Sequence, residues 1–364
     1  MFLRKLKDQL ANASVYAAAF FSASMLVVIV GFILTNGWSH LSVDFLTNDY
    51  NEMVRTVAVD SPQAMEGLEV EETNNGLVVT SITNDSPFRY GIDNSGDIFP
   101  IRTGNTIEIV NGTRNTTQML EELKAGGDLT VRVRVEGGGI FPMIVSTVLL
   151  ILVTLLFAAP LGILAAIYMV EYAKQGRVVN VIRFATEILA GIPSVVYGLF
   201  GMMMFVRGLQ LGTSILAGAL TMTILLLPIM MRTVEESLKA VPEGYREASY
   251  ALGSNKIQTI ARVVLPSALP GIMVGIILSI GRIVGESAAL IFTLGTFARL
   301  PMNLGTGNLS IFEAGATLTL RAFMQVREFG NVQMAAAIGI VILAIVFVLN
   351  ILAKLIMSKL GKVA

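Results

Sequence analysis

The sequence predicts an all-α polytopic membrane protein of six transmembrane helices with an α+β domain inserted after the first. Three observations carry that prediction. Of 364 residues, 54% are apolar and only 14% charged, with a mean hydropathy of +0.71, whereas soluble domains carry about a quarter charged residues. Six apolar runs reach the length of about 20 residues that a helix needs to cross a bilayer core with its backbone groups paired internally. Between the first two runs, residues 36–139 are polar and alternate in hydropathy instead of running apolar.

The first run, 15–34, follows Arg4, Lys5 and Lys7. A secretory signal starts the same way, but this run is long and residues 35–40 lack a small-x-small cleavage site, so a retained span is expected. Residues 1–35 thus form a cytoplasmic N-terminus and first helix. In 36–139, residues 76–82 read as a strand, 84–88 as a turn into a short helix, and 104–112 as a strand closed by Asn111-Gly112. A helix over 116–123 and a last strand over 129–135 follow. The Ser86-Pro87 step, the run from Gly104 to Asn111-Gly112 and the closing strand resemble a bacterial PDZ domain, with Asn105 where that family usually has Asp. PDZ domains hold extended C-terminal peptides by strand addition, and the resemblance implies a carboxylate loop at Asn74, Asn75, Gly76 and Leu77.

The remaining runs are 137–170, 188–206, 208–231, 263–281 with a continuation over 287–298, and 331–353. Only Arg282 and Glu286 place charge inside a run. Lys and Arg set orientation: Lys174, Arg177, Arg183, Arg232, Lys239, Arg246, Lys256, Arg262, Lys354, Lys359 and Lys362 fall in segments that become cytoplasmic if the N-terminus is. Arg207, Arg299, Arg321 and Arg327 fall in the outer ones. Both termini are expected in the cytoplasm and the inserted domain outside a cytoplasmic (inner) membrane.

Residues 233–266 join the fourth and fifth runs. Their centre is Glu247-Ala248-Ser249, three residues, Gly253, nine residues, and Val263-Val264-Leu265-Pro266. Pro242-Glu243-Gly244 opens a short helix, small residues permit close packing, Gly253 supplies a turn and Pro266 ends the motif. This resembles the EAA loop of ABC importer permeases, with Ser249 for the second Ala and Val263 for Ile. The resemblance implies a permease core over 140–364 of ABC importer type. Glu247, Ala248, Ser249, Gly253, Leu265 and Pro266 would dock a coupling helix in a separate ATPase subunit. No Gly-x4-Gly-Lys-Ser/Thr phosphate loop occurs: Gly361-Lys362 is followed by Val363. The chain is therefore expected to be no enzyme and to need no cofactor, with ATP and Mg bound by the partner.

Two further stretches resemble phosphate permeases: Gly191-Ile192-Pro193-Ser194-Val195-Val196-Tyr197-Gly198, which resembles their third span, and Gly285-Glu286-Ser287-Ala288-Ala289-Leu290-Ile291-Phe292-Thr293, with Ser287 for Thr and Ala289 for Pro, which resembles the PstA type more than its partner type PstC. What that implies is a phosphate pathway, a PstC-like permease paralogue, two PstB-like ATPase subunits and a PstS-like phosphate-binding protein; molybdate, tungstate and sulfate remain alternative cargoes. Independently of the family, ionisable residues inside a span are functional candidates. Arg282 and Glu286 are one turn apart and able to pair. The planar fork of Arg282 suits an oxyanion, with Glu286 occupying it between substrates. Gly275, Gly281 and Gly285 would let helices approach along the pathway, and Met202, Met203 and Met204 are expected to be packing.

Composition excludes much else. The chain has no cysteine and one histidine, His40. A site-2 protease needs two histidines for zinc and a rhomboid-type dyad needs one within the membrane. A secondary transporter would have no use for an EAA loop. The formal net charge of zero points to no nucleic acid.

Overall fold

The computed structural model describes all residues except 1, 49–52, 62–64, 66, 74–75, 94–95, 97, 136–138, 175, 304–306, 328–329 and 361–364, and for 2–11, 53, 61, 135 and 356–360 only the backbone. Among the described residues five helices are long and apolar enough to cross a membrane, and one bent pair counts as a sixth if it is a single span. The first is α1 (Phe2–Gly37), whose apolar residues from Val15 onward are mostly exposed, with little cover from the chain. After it come a single 3-10 turn (Trp38–His40) and the short α2 (Val43–Thr47), capped by the Ser42 hydroxyl.

The inserted region folds as one sheet: β1 (Met53–Ser61), β2 (Leu68–Thr73), β3 (Gly76–Ile82), β4 (Ile92–Asp93), β5 (Thr106–Val110) and β6 (Gly127–Val135), ordered β2-β3-β5-β6-β1-β4. One helix, α3 (Thr116–Ala125), is capped by Asn115 and presents Met119 and Leu123 to the sheet. The strands expected over 76–82, 104–112 and 129–135 correspond to β3, β5 and β6, and the helix expected over 116–123 to α3. Asn111 and Gly112 both have positive φ, as their turn requires. The core of Val57, Leu77, Val79, Phe88, Ile107 and Val131 is closed, each fully buried. The β1 and β2 strands were not apparent from the sequence.

The helical core comprises α4 (Phe141–Ile167), α5 (Arg177–Gly191), α6 (Ser194–Gly201), α7 (Ile215–Lys239), α8 (Glu243–Ala251), α9 (Lys256–Thr259), α10 (Leu265–Gly285), α11 (Leu290–Thr293), α12 (Leu318–Arg327) and α13 (Val332–Leu360). At its centre α7 packs on α4 and α10, burying Leu150, Ile215, Met222, Leu226 and Leu290.

The 188–206 run is not one straight span. Its helix breaks at Ile192-Pro193 and turns by 100°, because proline has no N–H to donate and holds the residue before it extended; Ile192 has ψ 131°. The Tyr197 hydroxyl donates to the Leu189 carbonyl at 2.7 Å across this break and fixes the bend. Beyond α6 the helix widens to a π turn (Met202–Gly208), where Met203 and Met204 are exposed rather than packed in the chain.

The 287–298 continuation is likewise not helical throughout. Helix α10 stops at Gly285, and α11 is a single turn laid against α6.

Candidate functional site

The 233–266 loop joins α7 to α10 and contains α8 and α9. From the end of α7 the chain turns through Ala240, Val241 and Pro242 into α8. Glu247 and Ala248 face outward together with Tyr245, Tyr250 and Leu252, whereas Arg246 and Ser249 are buried. Gly253 ends the helix at φ +84° with open space where a Cβ would sit. Its glycine serves backbone conformation, not clearance. Asn255 and Gln258 then form a reciprocal cap that starts α9.

The buried face is held at two points. Arg246 Nε and Nη2 donate to Glu171 Oε1 at 3.1 and 2.9 Å; Nη2 also reaches the Leu238 carbonyl and Nη1 the Val241 carbonyl, each at 2.9 Å. Three residues on, the Ser249 and Thr259 hydroxyls hydrogen-bond at 2.9 Å. Expected as a terminator, Pro266 instead lies in the first turn of α10, preceded by a π turn (Ile260–Val264). A proline cannot donate four residues back, and the wider π register just before it absorbs the missing bond while the helix continues. Leu265 beside it is half-buried against the core of Val234, Leu238 and Val264.

Arg282 and Glu286 do come together, with 3.6 Å between Nη2 and Oε2. That is an ion pair beyond hydrogen-bond length. Glu286 does not share the helix, as the spacing implied: it follows the last residue of α10 in an extended conformation (φ −88°, ψ 129°). Its Oε1 accepts from Ala289 N–H at 3.2 Å, so the buried carboxylate braces the break before α11. The Arg282 side chain is 49% exposed, the Glu286 side chain 6%. Val274, Leu278, Gly281 and Gly285 are exposed beside Arg282, forming one uncovered stripe of α10. Of the three glycines, Gly275 alone meets a neighbouring helix, at Thr233; nothing lies over Gly281 or Gly285. Gly198 of the other signature is where α6 and α11 touch, since a Cβ there would lie 2.8 Å from Ala289.

The proposed carboxylate loop fares differently. Asn74 and Asn75 lie outside the described residues. Gly76 and Leu77 open β3, and Leu77 is fully buried, paired with Glu72 of β2 on one side and Ile107 of β5 on the other. A strand occupied on both edges at this point cannot accept a peptide strand there; the unpaired sheet edge in this half is that of β2.

Several residues escaped the sequence reading. Arg246 and Glu171 were legible only as a loop charge and as the first acid after an uncharged run. Another cluster sits where α5 meets α7: Glu235, 9% exposed, accepts from Arg183 and from Lys239 at 2.6 Å each, at the wall of a cavity of about 250 Å³ shared with Thr186, Glu187 and Arg232. No group of acids and histidines able to hold a metal occurs among the described residues.

Comparison with known proteins follows the helical core. Residues 158–362, more than half of the chain, match the model of the binding-protein-dependent transport system inner membrane component. A probable ABC transporter permease protein, YqgI of Bacillus subtilis, is 38% identical over 60% of this chain and 77% of its own length. The phosphate transport system permease protein PstA of Yersinia pestis is 36% identical over 64% of this chain and 77% of its own. PstA 1 of Mycobacterium tuberculosis is 40% identical over 48% of this chain; the chain spans 57% of that relative.

Proposed function

The chain belongs to the family of binding-protein-dependent transport system inner membrane components, and from that premise we propose that it forms one half of the pathway of an ATP-driven phosphate importer. As a permease component it is not itself an enzyme; ATP hydrolysis belongs to separate subunits. The observation that carries the reading is α8, a short helix bonded to the bundle along one face while Glu247, Ala248, Tyr245 and Leu252 stand free on the other. That is the form of a helix built to be gripped by a second protein. Phosphate as cargo is supported by the PstA names of relatives at 36% and 40% identity.

In this reading the uncovered α10 stripe faces a PstC-like paralogue, and Arg282 presents its guanidinium to the oxyanion between them. Glu286 holds Arg282 when the pathway is empty. Two PstB-like ATPase subunits grip the two α8 helices, and a PstS-like protein delivers phosphate from outside. The sheet domain stands outside as a PDZ-like contact module, and both termini are cytoplasmic. Supporting that orientation, the domain precedes Phe141 at one end of α4 whereas Glu171 meets α8 at the other, about 45 Å away at 1.5 Å per residue. The basic residues Arg232, Lys239, Arg246, Lys256 and Arg262 gather at the α8 end.

Co-expression with a second permease, an ATPase and a binding protein, followed by labelled-phosphate uptake into proteoliposomes, tests the proposal. ATP-dependent uptake that excess molybdate, tungstate or sulfate does not inhibit is the expected result. Uptake of one of those anions in place of phosphate would reassign the cargo, and full activity as a homodimer would overturn the paired assembly.

A further inference from the structure

We propose that Arg246 and Glu171 form the joint through which movement of α8 reaches the inner end of α4, which makes Arg246 a positioning residue for energy coupling. The inference rests on the reading of α8 as the helix gripped by the ATPase.

The joint begins with an arginine almost wholly withdrawn from solvent: Arg246 is 7% exposed, and the Glu171 side chain 6%. All three guanidinium nitrogens are engaged, two on a single Glu171 oxygen and two on the Leu238 and Val241 carbonyls, with Glu243 at 3.4 Å as an outer contact. Those carbonyls close the C-terminus of α7, where helix oxygens lack intrahelical partners and a cation is favoured. One side chain of α8 thus joins the end of α7 to the end of α4. Ser249, three residues along the same face, ties α8 to Thr259 and so toward α10.

Two features make this a transmitting contact. Separating the pair would strand a guanidinium and a carboxylate away from water, so displacement of α8 carries Glu171 with it. Glu171 in turn lies in the π turn (Tyr168–Tyr172) that ends α4, and the Thr259 contact sits immediately before the π turn that enters α10. Such wide turns are rare in helices and occur frequently at functional sites. Both connections from α8 into the helical core therefore pass through or beside a π turn, while the exposed face of α8 contains neither partner.

The test uses the whole transporter in proteoliposomes, with uptake and ATP hydrolysis read in the same vesicles. Arg246→Lys keeps the charge but cannot reach Glu171, Leu238 and Val241 together. Glu171→Gln keeps size and an acceptor oxygen while removing the charge. Both variants should assemble with the wild-type amount of ATPase and hydrolyse ATP, yet phosphate carried per ATP should fall about tenfold, roughly what one charge-assisted hydrogen bond is worth. An unchanged ratio in both variants overturns the joint, as does a fall in uptake and hydrolysis strictly proportional to lost assembly, because either means a purely structural contact. If the wild-type chain binds no ATPase, the reading of α8 fails and takes the joint with it, a result visible before any variant is made.

Discussion

The inserted sheet domain and the helical core bury apolar surface in opposite ways. The domain closes on itself: its core residues, all between Val57 and Val133, are at most 3% exposed. The helices do not. Of the most apolar stretch of α7, 61% is buried within the chain, against 28% for the spans that contain α4 and α10 and none for α1. A sheet that meets water must finish its core alone, whereas a helix in lipid can leave Leu, Phe and Val outward at no cost. The sheet domain is thus complete in one chain, whereas the helical core leaves apolar faces open, which in the proposed assembly lipid and a second permease would cover. Residues that matter for transport should accordingly cluster in the core, on its unfinished faces.

Arg282 is the sharpest instance, and the largest effect is expected there. Arg282→Gln should abolish phosphate uptake, since two charge-assisted hydrogen bonds of about 1.5 kcal/mol each correspond to roughly a hundredfold. Arg282→Lys should reduce it strongly because the fork is lost while the charge stays. Assembly must be read alongside uptake, because Arg282→Gln leaves the buried Glu286 carboxylate without its counter-charge. Adding Glu286→Gln to Arg282→Gln should leave the fold intact, as Gln can still accept from Ala289 N–H, and should not restore uptake. Normal uptake by the double variant in membranes with matched protein levels would put the phosphate path elsewhere.

Next in size is the outer face of α8. Glu247→Lys lies on an exposed position, so folding and insertion should be unaffected while uptake falls about tenfold, the loss of one charged contact to the ATPase. Gly253→Asp should act more weakly and by another route: a side chain at φ +84° costs about 1 kcal/mol, and the helix end should loosen. Uptake at the wild-type rate with a normally assembled ATPase in either variant would remove α8 from the coupling role.

How much of this was legible in the sequence follows the same division. Continuous apolar runs and the fixed spacing from Glu247 to Pro266 located the spans and the α8 turn, because burial in lipid and a positive φ at Gly253 leave direct marks on residue choice. Alternation marked β3, β5 and β6. What stayed hidden depended on partners distant in sequence: Arg246 with Glu171 is 75 positions apart, and Arg183 with Glu235 is 52. Pro193 was visible, but apolarity over 188–206 concealed the 100° turn it produces. Glu286 was placed on a helix by spacing alone, although Gly285 ends that helix. Strand addition at Leu77 is excluded for a topological reason, since Leu77 is paired on both sides by β2 and β5, and β2 was not recognised as a strand.

The smallest effect on transport should come from removing the sheet domain, and the register of its outer strands explains why. Strands β1 and β6 pair antiparallel along their whole length, with Met53 opposite Val135. Directly opposed Cα atoms in such a ladder are about 5 Å apart, so the chain leaves the helical core and returns to it at nearly the same point. Replacing residues 54–134 with Asn-Gly keeps that separation, because a two-residue turn bridges paired strand ends. Below the cut, Phe45 still packs with Ile140 and Met143, and the Ile140 N–H still reaches the Phe45 carbonyl at 2.9 Å. The shortened chain should therefore insert, assemble with the ATPase and carry phosphate within about twofold of wild type if the domain is a self-contained unit. Phe88→Ala gives the complementary reading in the full-length protein: a cavity at a fully buried ring costs about 3–5 kcal/mol, enough to lower protease resistance of the domain while uptake persists. Should the deletion prevent insertion, or reduce uptake as far as Glu247→Lys does, the sheet would be a working part of the permease core and the contrast between a finished and an unfinished region would fail.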